Sequence, residues 1–252
     1  MRSFVLPLLA AGYLAGEVVA RDVPANVRKL YNSVRAQGTC KKILKGGFYS
    51  QEKDSKDFCY CGDHLEDNGI IYLQGTHGNL VNMDIDCDGA QGKGNGDCDS
   101  SGDTQPQTTF QDEVKKYGIK DLNAYVHSYV VLGNDGSKKG YVTFDPQKYG
   151  IEPLSIVAVV CGDKMFYGVW GDTNGDDGPP LIGEVSLSLG QACYGRAVNG
   201  NAAHDENDVL YIAFKGSNAV PGAKGANWKA KTFADFESSL HAQGDQLVAK
   251  IK

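Results

Sequence analysis

The chain lacks an apolar run long enough to cross a bilayer: its main hydrophobic stretch, Phe4 to Leu14, is too short for a span. It lacks an excess of positive charge as well. Lys and Arg total 25 against 31 Asp and Glu, a net charge of -6, which argues against a nucleic-acid partner because a polyanion needs a basic patch. That balance suits a cationic partner, or solubility alone. His64, His77, His127, His204 and His241 show no paired spacing for a metal or a catalytic triad. Cys59-X-Cys61 has no second His or Cys pair at ligand spacing, so it does not read as zinc. Neither a metal nor a cofactor is expected. Helix-period segments are few.

Glycine and turn signals are abundant, with 32 Gly in 252 residues. Chains punctuated in this way are β-rich. Met1-Arg2, the apolar run, and Val18-Val19-Ala20 before Arg21-Asp22 describe a secretory signal peptide over 1–20, with an alternative cut near Gly16. Residues 21–252 then fit a single exported domain, expected to be a monomer with no membrane attachment. All seven cysteines follow the leader, so disulfides with one thiol left over are expected. Cys87 could close a local loop with Cys98, and Cys161 could pair with Cys193. Cys40 would then pair with Cys59 or Cys61.

The periodicity predicts a helix over 23–37, with Val27, Leu30, Tyr31 and Val34 on one face. A short helix is predicted over 110–117 and an amphipathic helix over 233–251. Strands are predicted at 70–73, 125–132, 140–144, 153–160, 165–171 and 209–214. The 153–160 run is almost continuously apolar, as a central strand would be. Residues 86–109 read as a loop. The simplest architecture is mainly β, a single barrel or sandwich with peripheral helices at both termini.

The most informative stretch is W-G-D-T-N-G-D-D-G-P-P-L-I-G-E-V-S-L-S-L, Trp170 to Leu189. Asn174-Gly175 and Asp177-Gly178-Pro179-Pro180 mark a loop. Strand alternation on both sides predicts that Trp170 and Asp172 share one face. It also sets Glu184, Ser186 and Ser188 opposite Val185, Leu187 and Leu189. Asp172 and Glu184 can then face one groove, and two carboxylates facing one cleft are the minimum equipment for hydrolysing a glycosidic bond. Trp170 would offer a flat platform for a sugar ring. Glu184, beside Ile182, Val185 and Leu187, is the expected acid, and Asp172 in its Gly- and Asn-rich loop the expected base.

Calcium is the competing reading. Asp172, Asn174 and Asp176 match positions 1, 3 and 5 of an EF-hand loop, but Asp177 replaces the required Gly and Gly183 the final Glu. Asp84 to Gly89 fits the first half of such a loop, with Asn95 at its last position. No helix is predicted on either side, which leaves only an irregular calcium site open.

The segments V-V-C-G-D-K-M-F-Y-G-V-W-G-D-T-N-G-D-D-G (159–178), G-E-V-S-L-S-L-G (183–190), N-M-D-I-D-C-D-G (82–89), D-V-L-Y-I-A-F-K-G-S (208–217) and R-D-V-P-A-N-V (21–27) resemble the fungal endo-chitosanases of glycoside hydrolase family 75. The resemblance spans the whole expected mature chain. It implies a six-stranded, double-psi-like β-barrel that cleaves the β-1,4 bonds of chitosan from within, with inversion. The family's essential carboxylates fall on Asp172 and Glu184. The intervening loop is slightly shorter here than in some relatives, which bears on its reach across the cleft. Chitosan is polycationic, so Asp84, Asp86 and Asp88 are candidate substrate-binding groups. Asp176 is a further one, with a smaller expected effect at the loop tip. The alternative reading is a non-catalytic, secreted carbohydrate-binding or wall-associated protein. Such a protein needs aromatics but no acid pair.

Overall fold

The computed structural model describes residues 21–51, 55–91, 96–98, 101 and 104–252. The leader expected over 1–20 lies outside these residues. The chain is mainly β, with a few helices. Its strands are β1 (Arg21–Asp22), β2 (Ile43–Phe48), β3 (Phe58–Cys61), β4 (Ile70–Gln74), β5 (Val81–Asp86), β6 (Tyr129–Asn134), β7 (Ile156–Cys161), β8 (Lys164–Asn174), β9 (Glu184–Ser186) and β10 (His204–Phe214). The helices are α1 (Ala25–Ala36), α2 (Gln111–Lys115), α3 (Leu187–Tyr194), α4 (Gly222–Gly225), α5 (Phe233–Ser239) and α6 (His241–Val248).

Strand pairing runs β8–β6–β9–β5–β10, and β7 joins β10 back to β8. β1 adds to β8, while β4, β3 and β2 extend from β10. The 11-residue strand β10 serves several neighbours. Its Leu210–Ala213 stretch pairs with β7, its N-terminal part with β5 and its last residues with β4. Every residue of β7 is buried. Its unbroken apolar run follows from that position, because no face of the strand meets water.

α1 covers the core with Val27, Leu30, Tyr31 and Val34, the face read from the 3.6-residue period. The Tyr31 hydroxyl donates to the Asp208 carbonyl at 2.7 Å. The Asn26 side chain donates to the carbonyls of Val248 and Ile251, joining α1 to the C-terminal segment. Disulfides link Cys40 to Cys61, Cys87 to Cys98 and Cys161 to Cys193, leaving Cys59 as a buried thiol.

Three expectations change in form. The apolar alternation over 184–189 gives only a three-residue strand, and α3 begins at Leu187. Leu187 and Leu189 are buried from that helix, so apolar spacing alone did not fix their conformation. The 140–144 run forms no strand, only a bridge between Phe144 and Asn134. The C-terminal pattern is divided at Leu240 into α5 and α6.

β8 contains the irregularity that shapes the site. Trp170 pairs with Val130 and Asp172 with Val131 on the parallel neighbour β6, so Gly171 is an extra residue. Strict alternation is interrupted, and Trp170 and Asp172 do not share a face. A Cβ at Gly171 would lie 2.6 Å from both Leu122 Cδ1 and Tyr129 Cβ. We expect Gly171→Ala to destabilise the fold by about 1–3 kcal/mol through overpacking, measured by denaturant unfolding. An unchanged midpoint would show that the bulge tolerates a side chain.

Candidate active site

Val131 on β6 pairs with Asp172 of β8 on one side and with Glu184 of β9 on the other. Asp84 of β5 pairs with Glu184 in turn. Directly paired residues project to the same side of a sheet. The two acids thus flank one valine, separated by two strand spacings, roughly 9–10 Å between Cα atoms. Asp172, Val131 and Glu184 line a small hollow of about 50 Å³, together with Asp86, Asp88 and Asn174. It adjoins a groove of about 740 Å³ that Glu184, Asp84, Asp177, Asn82 and Asp205 also line.

Glu184 follows Gly183, whose φ is +102° and whose missing Cβ leaves room for the Asn82 side chain and carbonyl. The Gly183 carbonyl accepts from the Asp84 N–H and the Tyr211 hydroxyl, at 2.8 and 3.0 Å. The positive φ and the close approach of Asn82 explain why a glycine precedes the acid. Asn174, at the end of β8, donates its side-chain amide to Glu184 Oε2 and to the Leu181 carbonyl. The loop is thereby closed on the carboxylate it carries.

Asp172 is held more tightly, and only 5% of it is exposed. Its Oδ1 accepts from the Thr109 N–H, the Thr109 hydroxyl and the Thr173 N–H at 2.9, 2.7 and 2.7 Å. Its Oδ2 is buried without a hydrogen-bond partner. Burial drives the Asp172 pKa up to about 6, against the lowering effect of the Thr109 and Thr173 donors, while the charge of Asp121 adds a rise. Asp121 also orients this clamp, since it accepts from the Thr108 N–H and hydroxyl. Asp86 is shifted well upward by burial, with further contributions from the charges of Asp172, Asp88 and Glu184.

Of the residues singled out in the sequence, Asp172, Glu184, Asp86 and Asp88 meet at the small hollow, and Asp84 lines the larger groove. Trp170 is 2% exposed and packs edge-on against Phe110, ring centroids 4.9 Å apart. Its indole N–H donates to the Asp172 carbonyl. It borders a separate hollow of about 690 Å³. Asp176 turns toward the neighbouring loop, accepting from the backbone N–H groups of Ser137 and Lys138, which lower its pKa. Asp177 lines both parts of the cleft instead. Thr109 and Asp121 were not legible as site residues, because nothing local in a T-T-F segment signals a partner 63 residues away. The burial criterion that favoured Glu184 as the acid falls on Asp172: Glu184 is half-buried, and Asp172 is enclosed.

The raised pKa has a sign that can be checked. The folded protein binds the Asp172 proton more tightly than an unfolded chain, where the value is 3.8, so the burial cost is absent below about pH 4 and complete above about pH 6. A shift from 3.8 to about 6 corresponds to ~3 kcal/mol. Asp172→Asn is therefore expected to gain stability over the parent as pH rises from 4 to 7. Denaturant melts across that range, with EDTA present, measure it. A pH-independent difference would show that Asp172 is not desolvated.

The family model described as fungal chitosanase of glycosyl hydrolase group 75 matches residues 83–250. "Endo-chitosanase B" of Aspergillus oryzae is 45% identical over 247 residues, covering 97% of this chain and 98% of that protein. "Endo-chitosanase" of the same species is 44% identical over 243 residues, 95% and 96% of the two chains. "Endo-chitosanase" of Aspergillus fumigatus is 44% identical over 236 residues, 92% and 93% of the two chains. With its matched region and near full-length relatives, the chain belongs to the fungal chitosanases of glycosyl hydrolase group 75.

Proposed function

We propose that this protein is an exported endo-chitosanase that cleaves β-1,4 linkages with inversion, using Asp172 and Glu184. The observation that carries the reading is the placement of the two acids either side of Val131 at one cleft. Their spacing of two strands suits an inverting pair, whose carboxyls stand roughly 6.5–9.5 Å apart to admit a water, rather than a retaining pair at about 5 Å. The names of the near full-length relatives support chitosan as the substrate. Asp84 and Asp88 supply negative charge along the cleft for a polyamine, and Asp86, whose proton affinity burial raises, offers it a polar contact. Trp170 acts from the core by holding the Asp172 carbonyl, and Asp176 acts through the loop it holds.

Asp172 is the general acid in this scheme. With a pKa of about 6 it keeps its proton in mildly acidic solution, where chitosan is charged and soluble. It protonates the leaving oxygen while Glu184, oriented by Asn174, takes a proton from the attacking water. The closed pairing β8–β6–β9–β5–β10–β7–β8 supports a single, double-psi-like barrel as the frame. The three disulfides agree with a domain at 21–252 working outside the cell after removal of a leader at 1–20. No helix among the described residues is long and apolar enough to cross a membrane. A monomer is expected.

Asp172→Asn and Glu184→Gln should each cut chitosan hydrolysis on the order of 10²–10⁴-fold with the fold retained, read by reducing-end release. A variant keeping most of its activity removes that residue from the scheme. An activated substrate with a good leaving group should rescue Asp172→Asn, and azide should rescue Glu184→Ala; the exchanged pattern would swap the roles. In the parent, kcat/KM should decline above about pH 6 as Asp172 loses its proton. A profile flat to pH 8 would contradict that assignment.

A further inference from the structure

Asp86, Asp88 and Asp172 bring one carboxylate oxygen each to within 4.8 Å of one another. Such proximity of three acids requires positive charge among them, whether protons or a cation. Two of the three are buried, Asp88 at 8% and Asp172 at 5% exposure. A second observation concerns the unoccupied valence of this group. Asp172 Oδ2 is buried without a partner, although its other oxygen accepts three hydrogen bonds. The two other acids are anchored by the backbone as well. Asp86 Oδ1 accepts from the Asp88 N–H at 2.7 Å, and Asp88 Oδ1 from the Gln105 N–H at 2.6 Å. The backbone thus fixes all three carboxylates before any ligand arrives.

We propose that these three acids form a binding site for calcium at the floor of the cleft. Oxygens bound to one calcium ion at about 2.3–2.6 Å can stand up to roughly 5 Å apart, whereas magnesium at about 2.0–2.1 Å draws its ligands closer. The hollow they line, about 50 Å³, has room for an ion with a water but not for a sugar ring. Only the first half of an EF-hand pattern is present at Asp84–Gly89; the third carboxylate comes from β8, far away in sequence. With three protein carboxylates and the rest water, binding should resemble the weaker extracellular calcium sites, with Kd of about 10⁻⁴–10⁻³ M.

The site shares Asp172 with the proposed chemistry, and an ion there would displace the proton that the general acid donates, so bound calcium should inhibit hydrolysis. The site does not rest on that reading, because calcium binding is measured without chitosan. The test is titration of calcium chloride into the full, EDTA-stripped protein, by calorimetry and by the shift in thermal midpoint. One ion per chain and a rise in midpoint are expected. Asp88→Asn and Asp86→Asn should each weaken binding at least about 10-fold, while the surface variant Asp163→Asn should bind as the parent does. Circular dichroism establishes that each variant is folded. No heat and no midpoint shift in the parent up to 5 mM calcium would overturn the proposal. So would binding that survives unchanged in folded Asp86→Asn or Asp88→Asn. Calcium binding in a protein inactive on chitosan would refute the hydrolase reading alone. Hydrolysis with no calcium binding would refute the site alone.

Discussion

The structure turns on the position of β6. It pairs in parallel with β8 and antiparallel with the three-residue β9, so a single residue, Val131, fixes the distance between Asp172 and Glu184. Neither acid relies on a long flexible arm for its place. Each lies at a strand end whose partner is defined by backbone hydrogen bonds. A shift of register on β6 would turn the side chains to the opposite faces, and the pair would be separated. The extra residue at Gly171 belongs to the same constraint, because it changes which residue of β8 meets Val131.

Gathering acids in this way is electrostatically unfavourable, and the surrounding polar groups show how it is tolerated. Asp172, Asp86 and Asp88 each accept backbone N–H donors. Asp172 also takes the Thr109 hydroxyl, whose neighbour Thr108 is held by the buried Asp121. These donors offset part of the cost of burial, and the remaining cost appears as raised proton affinity. A strained protonation equilibrium is what an acid catalyst requires near neutral pH.

Much of this was legible in the sequence. The apolar run at 156–160 announced a central strand, and the helical period marked the buried face of α1. The placement of Asp172 and Glu184 at one cleft was legible too, because turn residues isolate them between strand signals. What sequence could not supply was the bulge. Alternation assumes one residue per step, and Gly171 breaks that assumption without a local mark that distinguishes it from any other strand glycine. The conformation of 187–189 was hidden for a related reason: a buried leucine pair fits a short strand or a helix, and tertiary packing chose the helix. The Thr109 clamp and the inward turn of Asp88 are long-range contacts, set by topology rather than by neighbours in the chain.

Cys87 lies between Asp86 and Asp88, and its bond to Cys98 closes the start of the loop that follows β5. The spacing of two cleft acids is therefore written partly in covalent chemistry. Among the described residues, no strand pairing passes through Cys98, so the hydrogen bonds of the sheet do not require this crosslink. Maturation of the fold and maturation of the charge pattern are then separable events. The second depends on the oxidising power of the surroundings in which the chain folds.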